Sequence, residues 1–320
     1  MTADNSITFR DRLVTDAHDQ GAIQDWMPLE ITQLSAGSYE GHVRIIGQKD
    51  VSVFFESQNC TVHKRGVTSE GLCTLSFFRE QNAQHRFSTH NSEDHSLFFL
   101  PGGTDCDLHV RDNASTVYFL LSQDALLERL RVTQPSQWDS VPEDVLVLNM
   151  IDRRPIHALA DLLHSSGAFV DNQDVEQHNP QFGKVIVDQL VMTLKTVTGE
   201  WQQSGSIKLG RARVVVNRAI NFILEEFRQH RCPTIVDVCL ALQVSQRTLE
   251  YSFQTLLQTT PVAYVRYLRL NQARRHLLNA CKERESVTAI AMHWHFLHLG
   301  KFAKDYYQMF GESPSATLRK

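Results

Sequence analysis

Two stretches in the C-terminal third of the chain carry the same apolar pattern. Ile235, Val238, Cys239, Leu242 and Val244 set it, and Val287, Ile290, Ala291, Trp294 and Phe296 repeat it 52 positions later. Leu249, Phe253, Leu257, Thr260 and Pro261 then match Phe302, Tyr306, Phe310, Ser313 and Pro314 at an offset of 53. The one-residue slip falls between the blocks, where a turn absorbs it. Each copy reads as a short helix, a tight turn, a longer helix, and an N-cap followed by Pro. That is the helix-turn-helix plan, in which the second helix enters the major groove of DNA. A helical solenoid also repeats in this way, but two copies are too few for one.

Between the copies lies TPVAYVRYLRLNQARRHLLNA, residues 260–280. It predicts one long helix with Thr260 as N-cap and Pro261 at the first helical position, where the missing N–H costs nothing. Such a helix spans about 30 Å. One turn of B-DNA is about 34 Å, the spacing at which two reading heads meet successive major grooves on one face. The first helix-turn-helix covers about residues 234–257 and the second about 286–310.

In the first reading helix Ser245 is the natural N-cap, and Leu249 and Phe253 face inward. That leaves Gln246, Arg247, Glu250 and Tyr251 outward near the helix N-terminus, the part that meets bases. Arg can take both acceptors of G, Gln can pair with A, and Glu can accept from C. In the second, Phe302 and Tyr306 face in, and His298, Gly300, Lys301 and Lys304 face out. This copy offers fewer base-reading groups and is expected to add phosphate contact more than sequence reading. Arg266, Arg269, Arg274 and Arg275 lie along the long helix, where some can reach phosphates and others must pair internally. An isolated exposed Arg or Lys is ordinarily only solvated; its place in a reading helix is what points to a ligand.

The motifs RYLRLNQARRHL and FLHLGKFAKDYYQMFGESPSATL, in two copies joined by a long helix, resemble the DNA-binding domain of the AraC/XylS family of bacterial regulators over about residues 208–320. The run HLGKFAKDYYQMFGESPSATL is most similar to the subgroup containing the ethanolamine-utilisation regulator. Both turns depart from the family, where Gly is usual: here they hold Gln243 and His295. Non-Gly residues at positive φ are uncommon, so these turns are expected to be strained or differently shaped. Leu297 is also less polar than the family's usual residue there. The resemblance implies operator DNA, RNA polymerase and a second copy of the chain as partners.

Net charge is −4, but unevenly divided. From Lys208 onward there are 17 Lys and Arg against 8 Asp and Glu, a net of +9, which leaves −13 for the residues before it. A basic C-terminal part suits a polyanion, whereas the acidic part should repel one. Six cysteines without CxxC spacing argue for a reducing compartment and against a disulfide framework or structural zinc. Cys239, on an apolar helix face, reads as packing. The N-terminus lacks an apolar core of signal-peptide length, and no apolar run approaches membrane-spanning length. The expectation is a soluble, cytoplasmic protein with no cofactor.

Residues 1–25 read as a polar, poorly patterned segment. From 26 to 135 short runs rich in β-branched and aromatic residues follow one another: His42–Ile46, Val51–Glu56, Leu72–Phe78, Ser96–Leu100 and Thr116–Leu121, separated by Gly and Pro turns. They predict an all-β sandwich or barrel. By resemblance to full-length AraC-type regulators, carried by PGGTDCDLHVRDNASTVYFLLSQDALLERL, this is a cupin-like jelly roll that holds a small effector. Metal-using cupins carry an H-x-H pair; His85, His90 and His95 are spaced by five in a polar segment and read as exposed loop residues. No GxSxG, P-loop or GxGxxG appears at a strand–helix junction. An apolar and aromatic pocket lined from Val51–Glu56 and Leu72–Phe78 is the better expectation, although Phe54, Phe77 and Phe78 read first as core.

Residues 136–201 form a helical region between the domains. Ser122–Arg131, Pro155–Ser165 and Phe182–Trp201 read as helices, the last with Val187, Leu190, Val191, Leu194 and Val197 at helical spacing. It can pack on the barrel or pair two subunits. Residues 202–210 read as a linker, and Arg211–Gln229 opens the DNA-binding domain, 211–320. The fold class is therefore α+β, and the function that of an effector-responsive, sequence-specific transcription activator of a catabolic operon. The rivals are a cupin-type enzyme fused to a DNA-binding domain, and a DNA-organising protein that needs no effector.

Overall fold

Strands with apolar residues on both faces need cover on both sides, and that requirement sets the layers of this chain. The computed structural model describes residues 6–24, 26–48, 50–80, 84–167, 176–179, 181–195, 197, 206–281 and 284–320. The N-terminal part begins with β1 (Ser6–Val14), α1 (Ala17–Ala22), β2 (Leu29–Gln33), β3 (Gly41–Gln48), β4 (Val51–Gln58), β5 (Val62–Val67) and β6 (Leu72–Phe78). It continues with β7 (Arg86–Phe87), β8 (His90–Asn91), β9 (Ser96–Leu100), β10 (Asp105–Val110) and β11 (Ala114–Ser122). Then come α2 (Gln123–Thr133), α3 (Pro135–Trp138), β12 (Leu146–Asn149), α4 (Arg154–Gly167), β13 (Glu176–His178) and α5 (Phe182–Leu194). The C-terminal part is helical: α6 (Ile207–Arg228), α7 (Ile235–Leu242), α8 (Gln246–Leu257), α9 (Pro261–Asn279), α10 (Val287–His293), α11 (Leu299–Phe310) and α12 (Pro314–Thr317).

The strands form a large sheet, β12-β9-β6-β11-β4-β3-β1-β13, and a small one, β2-β5-β10-β7-β8, both antiparallel. Alternation along the large sheet is complete. Val53, Phe55, Phe77, Leu97, Phe99, Val117 and Phe119 pack under α2–α5, while Phe54, Phe78, Phe98, Leu100 and Tyr118 face the small sheet. Phe54 stacks on Tyr118, with centroids 4.4 Å apart, so Phe54, Phe77 and Phe78 are core. The chain is thus α+β, with a cupin-like two-sheet domain and a helical domain.

The helical domain has two cores. Val216, Ile220, Ile223, Leu249, Phe253, Tyr264 and Leu268 form the first. Leu270, Ala273, Leu277, Ile290, Phe302 and Tyr306 form the second. α9 supplies both, its first half to one and its second half to the other. Five of its helices start on a Thr or Ser whose side chain accepts a backbone N–H, and Thr234 with Asp237 makes a reciprocal capping box.

Several expectations are corrected. Residues 6–22 are β1 and α1, not an unpatterned segment: β1 pairs with β3 from Thr8–Gly47 to Val14–Gly41. It buries only Ile7 and Val14, so its polar exposed face hid the strand. His85 and His90 are buried rather than exposed, because β7 and β8 close the small sheet around them. The helix expected over 182–201 ends at Leu194, and α6 begins at Ile207, inside the expected linker. Residues 202–205, most of that linker's flexible start, lie outside the described residues.

Candidate nucleic-acid interface

Each helix-turn-helix depends on a left-handed residue between its helices. Gln243 takes φ 57° and His295 φ 60°, the places where the family pattern has Gly. Behind them Val244 N–H donates to Cys239 O at 3.1 Å and Phe296 N–H to Ala291 O at 2.8 Å. The turns therefore keep the helix-ending bond despite a Cβ in a disfavoured region.

α8 presents its N-terminal turn to solvent. Ser245 caps it, accepting from Thr248 N–H at 3.1 Å. Gln246, Arg247, Glu250 and Tyr251 are all exposed. Gln246 Nε2 donates to Glu250 Oε1 at 2.8 Å, so these two stand as a paired acceptor and donor surface. Arg247 has no side-chain partner among the described residues. Lys208 Nζ from α6 sits 5.3 Å from the Tyr251 ring centre and lowers its hydroxyl pKa. Lys208 was missed by sequence reasoning because its closeness to Tyr251 is purely tertiary.

α11 starts at His298, whose side chain makes no capping bond. His298, Gly300, Lys301 and Lys304 are exposed, and a Cβ at Gly300 would meet nothing within 4 Å, leaving room for a close-lying backbone. His298 and Lys301 border a cleft of about 430 Å³ between the two modules, with Arg266 and Arg269 on its floor. The α9 arginines are mostly internal. Arg266 pairs with Asp305 at 2.7 Å, Arg269 caps the carbonyls of Trp294 and His295, and buried Arg274 binds Asp16 and Glu312. Arg275 bonds Gln272.

The β domain holds α8 and α11 from the opposite end. Arg86 Nε donates to Leu256 O at 2.9 Å, and Gln33 Nε2 and Gly37 N–H donate to Met309 O at 2.9 and 3.1 Å. Leu256 and Met309 are the same position of the repeat, next to last in α8 and α11. Donors at helix C-termini satisfy carbonyls that lack intrahelical partners. Between them Asn271 grips β2 through its backbone: Oδ1 accepts from Gln33 N–H at 3.1 Å, and Nδ2 donates to Gln33 O at 3.0 Å. Gly311 lets this happen, being left-handed at φ 70°; a Cβ there would strike Ser38.

A buried polar hub completes the junction. Asp107 accepts from Arg86 at 2.6 Å and from His63 Nε2 at 3.0 Å, and Tyr264 of α9 donates to His63 Nδ1 at 2.7 Å. Burial alone would raise the Asp107 carboxyl, but Arg86 and His63 hold it well below the usual range. Burial lowers His63 despite Asp107 and pushes His109 down to about 3. No sequence signal groups positions 63, 86, 107 and 264.

Comparison with known proteins agrees with this geometry. A helix-turn-helix domain family model matches residues 238–320. The probable thc operon regulatory protein of Rhodococcus erythropolis is 40% identical over 105 residues, 33% of this chain and 31% of that protein. The XylDLEGF operon transcriptional activator 2 of Pseudomonas putida is 31% identical over 137 residues, 43% of this chain and 82% of that protein. The chain belongs to the AraC/XylS family. The crystal structure of the AraC-like transcriptional activator CuxR aligns with 83% of this chain and 96% of its own, at 14% identity and TM-score 0.41. The matched part spans under a third of the thc regulator, and the ethanolamine-utilisation subgroup gains no support from these AraC/XylS relatives. Among the described residues no helix is long and apolar enough to cross a membrane.

Proposed function

We propose that this AraC/XylS-family chain is a cytoplasmic, sequence-specific transcription activator whose β domain answers to a small effector. The observation that carries it is the orientation of α8 and α11: their N-terminal ends are open while the β domain holds their C-terminal ends. Ser245, Gln246, Arg247, Glu250 and Tyr251 read bases; His298, Gly300, Lys301 and Lys304 follow the backbone of the next groove. The relatives' names as operon regulator and activator support activation, with RNA polymerase as the onward partner. Leu162, Val185 and Met192, exposed on α4 and α5, support a homodimer contact. Effector control is supported by the small sheet, one layer thick. Its strands present Leu29, Lys64, Cys106, Leu108 and Phe87 to a cavity, and His63, Arg65, Asp107 and Arg86 to the helical domain.

The test uses the full chain and a site it selects from random duplex DNA. Affinity should fall steeply as salt rises, since bound Lys and Arg release counterions. Salt-insensitive binding, or none, overturns the reading. Arg247→Ala should weaken specific binding by about 1–3 kcal/mol and relax selectivity at one base pair. An equal loss on selected and random DNA would place Arg247 on a phosphate instead.

A further inference from the structure

Between the sheets lies a cavity of about 50 Å³ that holds a buried ion pair. Lys64 Nζ on β5 donates to Glu56 Oε2 on β4 at 2.6 Å, across the sandwich, and both side chains are at least 95% buried. Glu56 is fully served: Gln24 and the Tyr118 hydroxyl also donate to its other oxygen. Lys64 is not, for Glu56 is its one acceptor among the described residues, and an ammonium has three N–H groups. A buried pair is seldom better for stability than apolar packing, so its presence beside an open space asks for a use.

We propose that this cavity is the effector site and that it takes a small uncharged molecule with an acceptor oxygen, such as an amide or an alcohol. The inference rests on the effector-responsive reading above and gives it a ligand chemistry. The acceptor oxygen meets the spare N–H groups of Lys64. A carboxylate there would stand against Glu56, and an ammonium against Lys64, in a site where water screens neither. The remaining polar wall is neutral: Gln24 and the Tyr118 hydroxyl, both bonded to Glu56, the hydroxyls of Thr74, Ser76 and Thr116, and the buried indole N–H of Trp26. Leu29, Phe87 and Leu100 supply apolar wall. An apolar cavity of about 150 Å³ accepts benzene, so one of about 50 Å³ admits about two non-hydrogen atoms as it stands, and a ligand of five binds as the walls move apart. Such movement would be felt at once: Lys64 lies beside His63, and Cys106 and Leu108 flank Asp107, on the strands that hold α8 and α9.

The probes are propionamide, propionate and propylamine, equal in length and different only in charge. Thermal melting of the full chain should rise by about 2–4 °C with propionamide in excess, by mass action, and stay unchanged with the two ions. The paired substitution Lys64→Met with Glu56→Gln keeps volume and removes both charges; it should fold and lose the rise. Three results overturn the proposal. One is an equal or larger rise with either ion. Another is a rise that survives the paired substitution. The third is no rise with any primary amide or alcohol of three to seven non-hydrogen atoms. If the substituted chain does not fold, the probe series on the unaltered chain decides. Salt-dependent DNA binding is measured separately on the same protein, so failure here is distinct from failure of the regulatory reading.

Discussion

Asp107→Asn is expected to destabilise the chain by about 3–5 kcal/mol, read as a lower urea midpoint, because breaking one side of a buried pair leaves the other charge uncompensated. Arg86 is 3% exposed and has no other carboxylate within reach among the described residues. The same change weakens the hold on His63, and through it on Tyr264 of α9. The loss should therefore be accompanied by faster amide exchange at the C-terminal turn of α8, where Arg86 meets Leu256 O. Asp152→Asn, which touches only the exposed Arg154, should leave the midpoint unchanged. A small loss for Asp107→Asn, with exchange in α8 unaltered, would show that the hub does not join the two domains.

Four alanines inserted between Leu268 and Arg269 should reduce affinity for the selected DNA site by about 10²–10⁴-fold, to that of a single module. Leu268 belongs to the first core and Leu270 to the second, so the insertion falls at the handover between modules. It lengthens α9 by about 6 Å and turns its far end about 40° past a full revolution. Two reading helices so displaced cannot reach successive grooves on one face together. The insertion also moves Asn271 and Met309 away from β2 or Leu256 away from Arg86, since the β domain holds all three at a fixed spacing. Circular dichroism and melting check that both modules remain folded. A folded insertion variant that keeps full affinity and an unchanged footprint would mean that one module alone reads DNA.

The two helix-turn-helix modules were legible because their signals are local. Thr234, Ser245, Thr260, Ser286 and Ser313 cap helices as side chains that bond backbone three residues on. Apolar spacing then assigns each helix face, and repetition confirms the register. The centre of the large sheet was also legible, because both of its faces are covered and β3, β4, β6, β9 and β11 read as apolar runs, whereas β1, with its polar exposed face, and β12, inside a region read as helical, were not. Leu72–Phe78 and Ser96–Leu100 were found to the residue.

The small sheet was the less legible of the two, and it lies between the inter-sheet cavity and the helical domain. VHKRGV puts charged residues on both faces, Lys64 toward the cavity and Arg65 toward the helical domain, whereas DCDLHV keeps Asp105, Asp107 and His109 on one face and Cys106, Leu108 and Val110 on the other. Hydropathy marks a run like VHKRGV as a loop. The sequence by itself determined two helix-turn-helix modules, a long helix between them and a β-rich partner, because caps, turns and apolar periods act within a few residues. Only the tertiary structure decided how the β domain grips Leu256, Asn271 and Met309 and where Glu56 and Lys64 meet. Those contacts join positions far apart in the chain, and a buried charge or amide is stable there only once its distant partner has been brought within hydrogen-bonding reach.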